Sequence, residues 1–192
     1  MKLTDLNNSK GAKMADAEDK LPAEHIARAI GRITMGAETL SMARAGGMER
    51  GDVLAVAQVA GILAAKKTCE IVPLCRPIQL TGADVTFYFE ESESAIDIEA
   101  EVRCFGIAGV EMEALTAVSA AALTIYDMCK GQDAEMEIGG IVLVEKTGDN
   151  DGSHGRGDVH KGSYHRQRQE RARPKDRRKR PTGGKPFGRK GR

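Results

Sequence analysis

The chain of 192 residues carries a net charge of only +1, and it is long enough for one domain with a hydrophobic core. Aromatic residues make up 4% of it and tryptophan is absent, so the core must be built from aliphatic side chains and alanine. No apolar run reaches the roughly 18 residues of a membrane-spanning helix, so no such span is expected. Residues 1–20 are polar and lack the apolar stretch of a signal peptide, so we expect a cytosolic protein.

The near-neutral net charge conceals two parts of opposite sign. Residues 154–192 hold 15 lysines and arginines against 3 acidic residues, whereas residues 1–153 hold 14 basic and 25 acidic residues. The segment 147–158 is rich in Gly, Asp and Ser, as linkers are. The remainder of the chain has almost no apolar residues, so it cannot bury enough surface to fold alone. We predict a folded domain over residues 1–152 and a disordered basic tail over residues 153–192.

Three elements are predicted in the first half of the chain, in the order strand, helix, helix. A strand is expected at 26–35, where the apolar residues are mixed in period. A short helix at 37–45 is closed by Gly46, which suits a helix C-cap. A second helix is expected from Asp52, a natural N-cap, to about residue 71. Its helical spacing is carried by Val53, Val56, Ala60, Leu63, Ala64 and Lys67.

Two strands, a long helix and a last strand are predicted in the second half. Segments 81–91 and 94–105 alternate between apolar and polar residues, as half-buried strands do, and a short ESES turn joins them. Residues 109–130 form the long helix, and residues 137–146 form the last strand. The order β-α-α-β-β-α-β predicts an α+β fold, a ferredoxin-like antiparallel sheet with helices on one face. The apolar side of the long helix is expected at Leu115, Val118, Ala122, Ile125 and Cys129.

The long helix is the best candidate for a functional site, because charged residues flank an Ala- and Leu-rich segment at both ends. Asp127 and Lys130 lie three positions apart among apolar neighbours, so we expect the pair at a buried edge, where it could act as acid and base. The alternative is a surface ion pair worth about 0.5 kcal/mol or less. Glu113 precedes Asp127 by about 21 Å along the helix, so we expect that only an oligomer interface brings these two carboxylates to one pocket.

Four basic residues indicate a pocket for an anionic small molecule. They are Arg50 before the second helix, Lys66 and Lys67 at its end, and Arg76 between two prolines in the loop PLCRP. A fixed guanidinium suits phosphate or carboxylate recognition, and a helix start is a common place for an anion. For the two lysines the alternative is a charge that only complements the helix dipole. The four cysteines are scattered, which favours buried or idle thiols over a metal site.

Four sequence runs carry a resemblance to a known family. The runs GDVLAVAQVAGILAAKKT, IVPLCRPIQL, GVEMEALTAVSAAALTIYDMCK and IVLVEKTG resemble the MoaC family of molybdenum-cofactor biosynthesis proteins, and the resemblance covers residues 4–152. It implies a ferredoxin-like fold, a hexamer built as a trimer of dimers, and a site between subunits. The implied reaction converts the cyclised dihydro-GTP made by the radical enzyme MoaA into cyclic pyranopterin monophosphate, with loss of pyrophosphate. No cofactor is implied.

The same resemblance implies roles for individual residues. The family's catalytic aspartate falls on Asp127, and its helping lysine falls on Lys130. Substrate-binding positions fall on Leu74, Cys75, Arg76, Glu111, Met112, Glu113, Lys66, Arg50 and Lys146.

The chain departs from the family pattern at four positions near the implied site. Arg76 stands where the family usually has histidine, and Arg50 stands where it usually has lysine. Ile107 and Asn150 replace two lysines. An arginine cannot shuttle protons near neutral pH. Each lost charge-assisted hydrogen bond costs about 1.5–3 kcal/mol, so losing two lysines could weaken substrate binding on the order of a hundredfold.

These observations support three functional hypotheses. The first is a working lyase of molybdenum-cofactor synthesis, because Asp127 and Lys130 are retained. The second is a MoaC-like protein that keeps the scaffold and binds a nucleotide or a partner without turnover. The third concerns the basic tail, which resembles arms that bind RNA or phosphate. Its alternatives are a counter-ion for the acidic domain and a solubilising extension.

Overall fold

The computed structural model describes residues 21–46, 51–148 and 154–155, all of which belong to the unit formed by residues 1–159. Apart from residues 154–155, the predicted tail lies outside the described residues, as do Arg50 and Asn150. None of the helices in the described part combines the length and apolar character needed to span a bilayer. The elements are β1 Ala23–Thr34, α1 Ala37–Ala45, α2 Val53–Lys66, α3 Thr68–Ile71, β2 Leu80–Glu90, β3 Ala95–Gly106, α4 Glu111–Cys129, β4 Glu137–Thr147 and β5 His154–Gly155.

The strands form one antiparallel sheet in the order β2-β3-β1-β4-β5. The first four strands have the order of the ferredoxin-like split βαβ arrangement, so the predicted α+β fold is confirmed. The predicted ESES turn is also present, as a short 3-10 segment that ends with Ser94 at φ 48. The sequence did not predict β5, which has two residues and pairs with Glu145 and Lys146 of β4. This pairing brings the chain back beside Lys146.

Strand β1 lies at the centre of the sheet, and its side chains point alternately to two faces with different environments. Its residues alternate strictly between buried and half-buried from His25 onward, because successive side chains of a strand point to opposite sides. The buried set faces α4, where Gly31 lies against Val118. On the opposite face, Arg28 pairs with Glu99 at 2.8 Å and with Glu145 at 2.7 Å. One face therefore packs the apolar core and the other carries an ion-pair layer.

Both predicted helix caps are confirmed, but the second helix is shorter than predicted. Gly46 ends α1 in the left-handed region, at φ 66. The Asp52 carboxylate accepts hydrogen bonds from two backbone N–H groups of the first turn of α2, at 3.0 and 3.1 Å. The expected helix to residue 71 divides at Lys67. There the buried Thr68 hydroxyl donates to the carbonyls of Ala64 and Ala65, at 3.2 and 3.1 Å, and so satisfies the end of α2.

The buried side of α2 is not the one that its larger aliphatic residues indicate. Val56 is 46% exposed and Leu63 is 51% exposed. A Cβ added at Gly61 would lie 3.0 Å from the carbonyl oxygen of Ala117 in α4, so α2 and α4 pack nearly backbone to backbone. Small residues allow this close approach, and they therefore take the inner side. The buried residues of α2 are Val53, Ala57, Gly61 and Ala65.

Gly31 provides a test of how closely α4 packs on the sheet. A Cβ at this position would lie 2.6 Å from Val118 Cγ1 and 3.1 Å from Ile141 Cγ1. Gly31→Ala is therefore expected to destabilise the protein by about 1–3 kcal/mol and to lower Tm by about 3–10 °C in thermal unfolding. Gly139→Ala is the matched control, since a Cβ at that strand position meets nothing within 4 Å. Equal Tm values for the two variants would contradict the close packing.

Candidate active site

Two glutamates in the first turn of α4 occupy different environments. Both complement the positive end of the helix dipole, but Glu113 is only 4% exposed whereas Glu111 is half-buried. Burial raises the pKa of Glu113, and the nearby carboxylate of Glu111 raises it further. Glu113 is therefore suited to hold a proton at a pH where an exposed glutamate would have lost it.

Lys146 at the end of β4 pairs with the carboxylate of Glu111. Its Nζ lies 3.1 Å from Glu111 Oε1, and both side chains are about one-third exposed. The Glu111 carboxylate also folds over Gly109, where a Cβ would collide with it. The loop before α4 therefore helps to hold Glu111 toward Lys146.

Two cysteine thiols lie near the same glutamates. Burial raises the pKa of Cys75, in the PLCRP loop, and the negative charge of Glu113 adds to the effect. Burial likewise raises the pKa of Cys104, near the end of β3, with smaller contributions from Glu113 and Glu111. Both thiols therefore stay protonated near neutral pH and act as polar, uncharged lining. We call Cys75, Cys104, Glu111, Glu113 and Lys146 the amino-end cluster.

Sequence reasoning anticipated most of the amino-end cluster but missed one member. Cys75, Glu111, Glu113 and Lys146 were expected to share a site, and the structure brings them together. Cys104 was interpreted as a buried or idle thiol, without a place in the site. It is buried, its Sγ donates to the carbonyl of Ala108 at 3.4 Å, and it lies between the sheet and the start of α4. No sequence signal identified it, because its place depends on how β3 pairs with β1.

The remaining substrate-binding candidates lie around or outside this cluster. Leu74 and Met112 are exposed, and Arg76 is half-buried beside Cys75. Lys66 is exposed in the last turn of α2. Ile107 is half-buried in the segment that leads from β3 to α4. Within the described residues no group of three or more His, Cys, Asp and Glu side chains is arranged to hold a metal ion.

The proposed catalytic pair lies at the opposite end of α4. Lys130 Nζ is 2.6 Å from Asp127 Oδ1, and each side chain is 55% exposed. The expectation of a buried edge was therefore wrong. Met128 and Cys129 occupy the buried side of this turn, so Asp127 and Lys130 must face outward. An exposed ion pair contributes little to stability, but it is available to a second molecule.

The two ends of α4 cannot meet within one chain. Glu113 and Asp127 belong to the same continuous helix, and their separation along it is about 21 Å. A small molecule that touches both groups must therefore lie where the end of one α4 helix approaches the start of another. Each end of α4 therefore carries one part of the candidate site, which we call a half-site.

The buried carboxyl of Glu113 has a consequence for stability that depends on pH. Because its pKa is raised on folding, the native state keeps a proton that the unfolded chain releases near pH 4.3. The stabilising contribution is full below that pH and is lost as the pH rises through the folded-state pKa. Glu113→Gln should match the wild type in Tm at about pH 4 and exceed it near pH 8. Glu137→Gln, at an exposed carboxyl, is the control, and a constant Tm difference for Glu113→Gln would contradict the argument.

Known proteins are similar in sequence to most of this chain. A model described as the MoaC family matches residues 14–149. The chain is 52% identical over 156 residues to the cyclic pyranopterin monophosphate synthase of Brevibacillus brevis, which covers 81% of this chain and 97% of that protein. This chain belongs to the MoaC family. The synthases of Heliobacterium modesticaldum and Chloroflexus aggregans are 49% and 51% identical to it, over 152 and 150 residues. Those matches cover 79% and 78% of this chain, and 96% and 91% of the two relatives.

Membership of the MoaC family confirms the resemblance that the four sequence runs carried. The family match contains α4 together with all five residues of the amino-end cluster. It ends at residue 149, so the basic tail lies beyond it.

Proposed function

We propose that this chain is a lyase of molybdenum-cofactor biosynthesis that converts cyclised dihydro-GTP into cyclic pyranopterin monophosphate and diphosphate. The observation that carries the proposal is its similarity, along nearly their whole length, to proteins named cyclic pyranopterin monophosphate synthase. The two half-sites of α4 supply what this chemistry requires. They combine one buried carboxyl group, Glu113, and one exposed carboxylate, Asp127, with lysines suited to phosphate groups.

The loss of diphosphate from a triphosphate defines what the residues have to do. Closing a cyclic monophosphate requires a hydroxyl of the substrate to attack the first phosphorus, while the bond to diphosphate breaks and the hydroxyl proton leaves. Asp127, which lies 2.6 Å from Lys130, is the base that takes up a proton. Lys146 binds phosphate oxygens, where its charge stabilises the negative charge that develops on the leaving group. Glu113, which keeps its proton to a higher pH than an exposed glutamate does, is the acid that can return a proton to the substrate.

The assembly that unites the half-sites is a homohexamer, a trimer of dimers. Its support in this chain is the separation of Asp127 from the amino-end cluster, together with the large apolar residues that α2 and α4 expose. Such a patch is typical of a protein interface. Its exposed members are Val56, Val59, Leu63 and Leu123.

A charge placed in the exposed apolar patch tests the assembly. Val59→Arg should reduce the particle measured by size-exclusion chromatography with light scattering below a hexamer, and activity should fall with it. Glu135→Arg, at an exposed position before β4, is the control and should leave the hexamer intact. A wild-type monomer with full activity would overturn the shared site.

The activity itself is tested with the full chain and purified cyclised dihydro-GTP. Pyranopterin product and diphosphate should form in equal amounts. If the folded hexamer binds the substrate by calorimetry without forming product, the alternative of a MoaC-like protein without turnover is correct. Arg76 and Ile107, which depart from the family pattern, are then the first positions to restore, as Arg76→His and Ile107→Lys.

A second activity is proposed for the basic tail, which we infer binds RNA. Its support is the count of 15 basic against 3 acidic residues from position 154 onward, beyond the residues that the MoaC family model matches. Full chain should retain single-stranded RNA on a filter at low salt, with affinity falling linearly against the logarithm of salt concentration. A chain truncated after Gly155 should lose retention and keep its activity. Equal retention by both chains would overturn the idea.

A cytosolic location is also proposed. All four cysteines of the chain lie in the described part, and all are free thiols. Free cysteines are typical of a reducing compartment. Cell fractionation with an antibody to the folded domain tests this location.

A further inference from the structure

His25 lies between the segment that leads from β3 into α4 and the end of β4. These two segments precede Glu111 and follow Lys146 of the amino-end cluster. His25 belongs to β1, is 3% exposed, and lies opposite Cys104 of β3. Its Nε2 is 3.1 Å from the carbonyl oxygen of Gly106, the last residue of β3. Four residues separate Gly106 from Glu111, so this hydrogen bond restrains the segment that leads into α4.

The other ring nitrogen of His25 lies against the end of β4. A Cβ added at Gly148 would be 2.5 Å from His25 Nδ1 and 2.5 Å from the carbonyl oxygen of Glu24. Gly148 also has φ 104, a backbone conformation that side chains rarely adopt. The backbone of Gly148 therefore packs directly on the imidazole, two residues beyond Lys146. The imidazole ring of His25 therefore contacts the segment that leads into α4, which carries Glu111, and the end of β4, which carries Lys146.

The bonding of the ring shows what a histidine supplies at this position. A carbonyl oxygen can only accept, so Nε2 carries a proton and donates it to Gly106. Nδ1 is the one buried side-chain nitrogen or oxygen without a hydrogen-bond partner in the described part of the chain. An apolar side chain would fill the space without burying an unpaired nitrogen. What histidine adds is the Nε2–H donor to Gly106.

We propose that His25 is a positioning residue that sets the distance between Glu111 and Lys146. Its Nε2–H holds the end of β3, while its ring supports Gly148 at the end of β4. The lysine ammonium then stays 3.1 Å from Glu111 and presents its charge at one place to a substrate phosphate. The effect on activity rests on the proposed function, whereas the effect on geometry does not.

Matched substitutions at His25 separate positioning from packing. Gln carries its Nε2 the same number of bonds from Cα as histidine and can donate to Gly106, whereas Asn is one bond shorter and Leu donates nothing. In crystal structures, the Nζ–Oε1 distance of the Lys146–Glu111 pair should stay near 3.1 Å in His25→Gln. It should open beyond the salt-bridge range in His25→Leu and His25→Asn. An unchanged pair in His25→Leu overturns the proposal, whether or not the enzyme turns over.

Kinetics of the folded hexamers give the second readout. His25→Leu and His25→Asn should raise the substrate KM about tenfold with little change in kcat, and His25→Gln should restore it. In a Lys146→Ala background, His25→Leu should add no further increase in KM, because its effect passes through the lysine. Additive effects, or no rescue by glutamine, would overturn the role. A wild type without turnover would contradict the proposed function instead.

Discussion

Replacing Asp127 by asparagine is expected to lower kcat/KM by at least about 100-fold, because the substitution keeps the shape of the side chain and removes the base. The substitution removes the charge of Asp127 from the 2.6 Å pair with Lys130, in which each side chain is 55% exposed. Exposed pairs contribute little to stability, so Tm and particle size should not change. Steady-state kinetics with cyclised dihydro-GTP, followed by thermal unfolding of the same sample, measure both quantities.

The chain contains a matched control for this substitution. Lys67 and Glu70 form another ion pair at positions i and i+3, with 3.6 Å between Nζ and Oε2 and with side chains 62% and 67% exposed. Glu70→Gln removes a carboxylate of the same kind at a similar exposure and should leave kcat/KM within about twofold of the wild type. If Asp127→Asn behaved like Glu70→Gln, the carboxylate of Asp127 would not take part in the chemistry.

Mixing two inactive variants is expected to restore activity. Asp127→Asn disables the half-site at the end of α4, and Glu113→Gln disables the half-site at its start. If each active site takes one half from each of two chains, random assembly of equal amounts leaves about a quarter of the sites with both halves intact. Co-expressed and purified mixed hexamers should therefore have about a quarter of wild-type kcat.

Two comparisons make the mixing experiment decisive. The double variant Asp127→Asn/Glu113→Gln, mixed with wild type, leaves each shared site intact only when both of its halves come from wild-type chains, again about a quarter. The two single variants, purified separately and assayed without exchange of chains, should remain inactive. Absence of recovery in well-mixed hexamers would mean that both half-sites act within one chain. The length of α4 argues against that outcome.

The order and type of the main elements followed from local patterns in the sequence. The strands β2 and β3 were predicted correctly from their alternation, and α4 was predicted correctly from its helical spacing. Each element buries one side, and its period is set by its own backbone geometry. Caps were equally local. Asp52 and Gly46 act through hydrogen bonds to their immediate neighbours and through their own backbone angles.

The candidate site was recognised from the MoaC resemblance, but its arrangement was not contained in local sequence. Sequence reasoning placed the Asp127–Lys130 pair at a buried edge, and it is exposed. It expected the aliphatic residues of α2 to pack, yet Gly61 and its small neighbours do so. The pairing of β1 with β3 places Cys104 and His25 near Glu111 and Lys146, and local sequence does not contain this pairing.

The sequence by itself therefore determined which elements form, in which order, and to which family the chain is similar. Tertiary structure alone decided which side of α2 is buried, and that Cys104 lies near the glutamates of α4. The physical reason is the distance along the sequence between the residues that interact. Periodicity and caps depend on residues within one or two turns, whereas packing and shared electrostatics depend on segments brought together from distant parts of the chain.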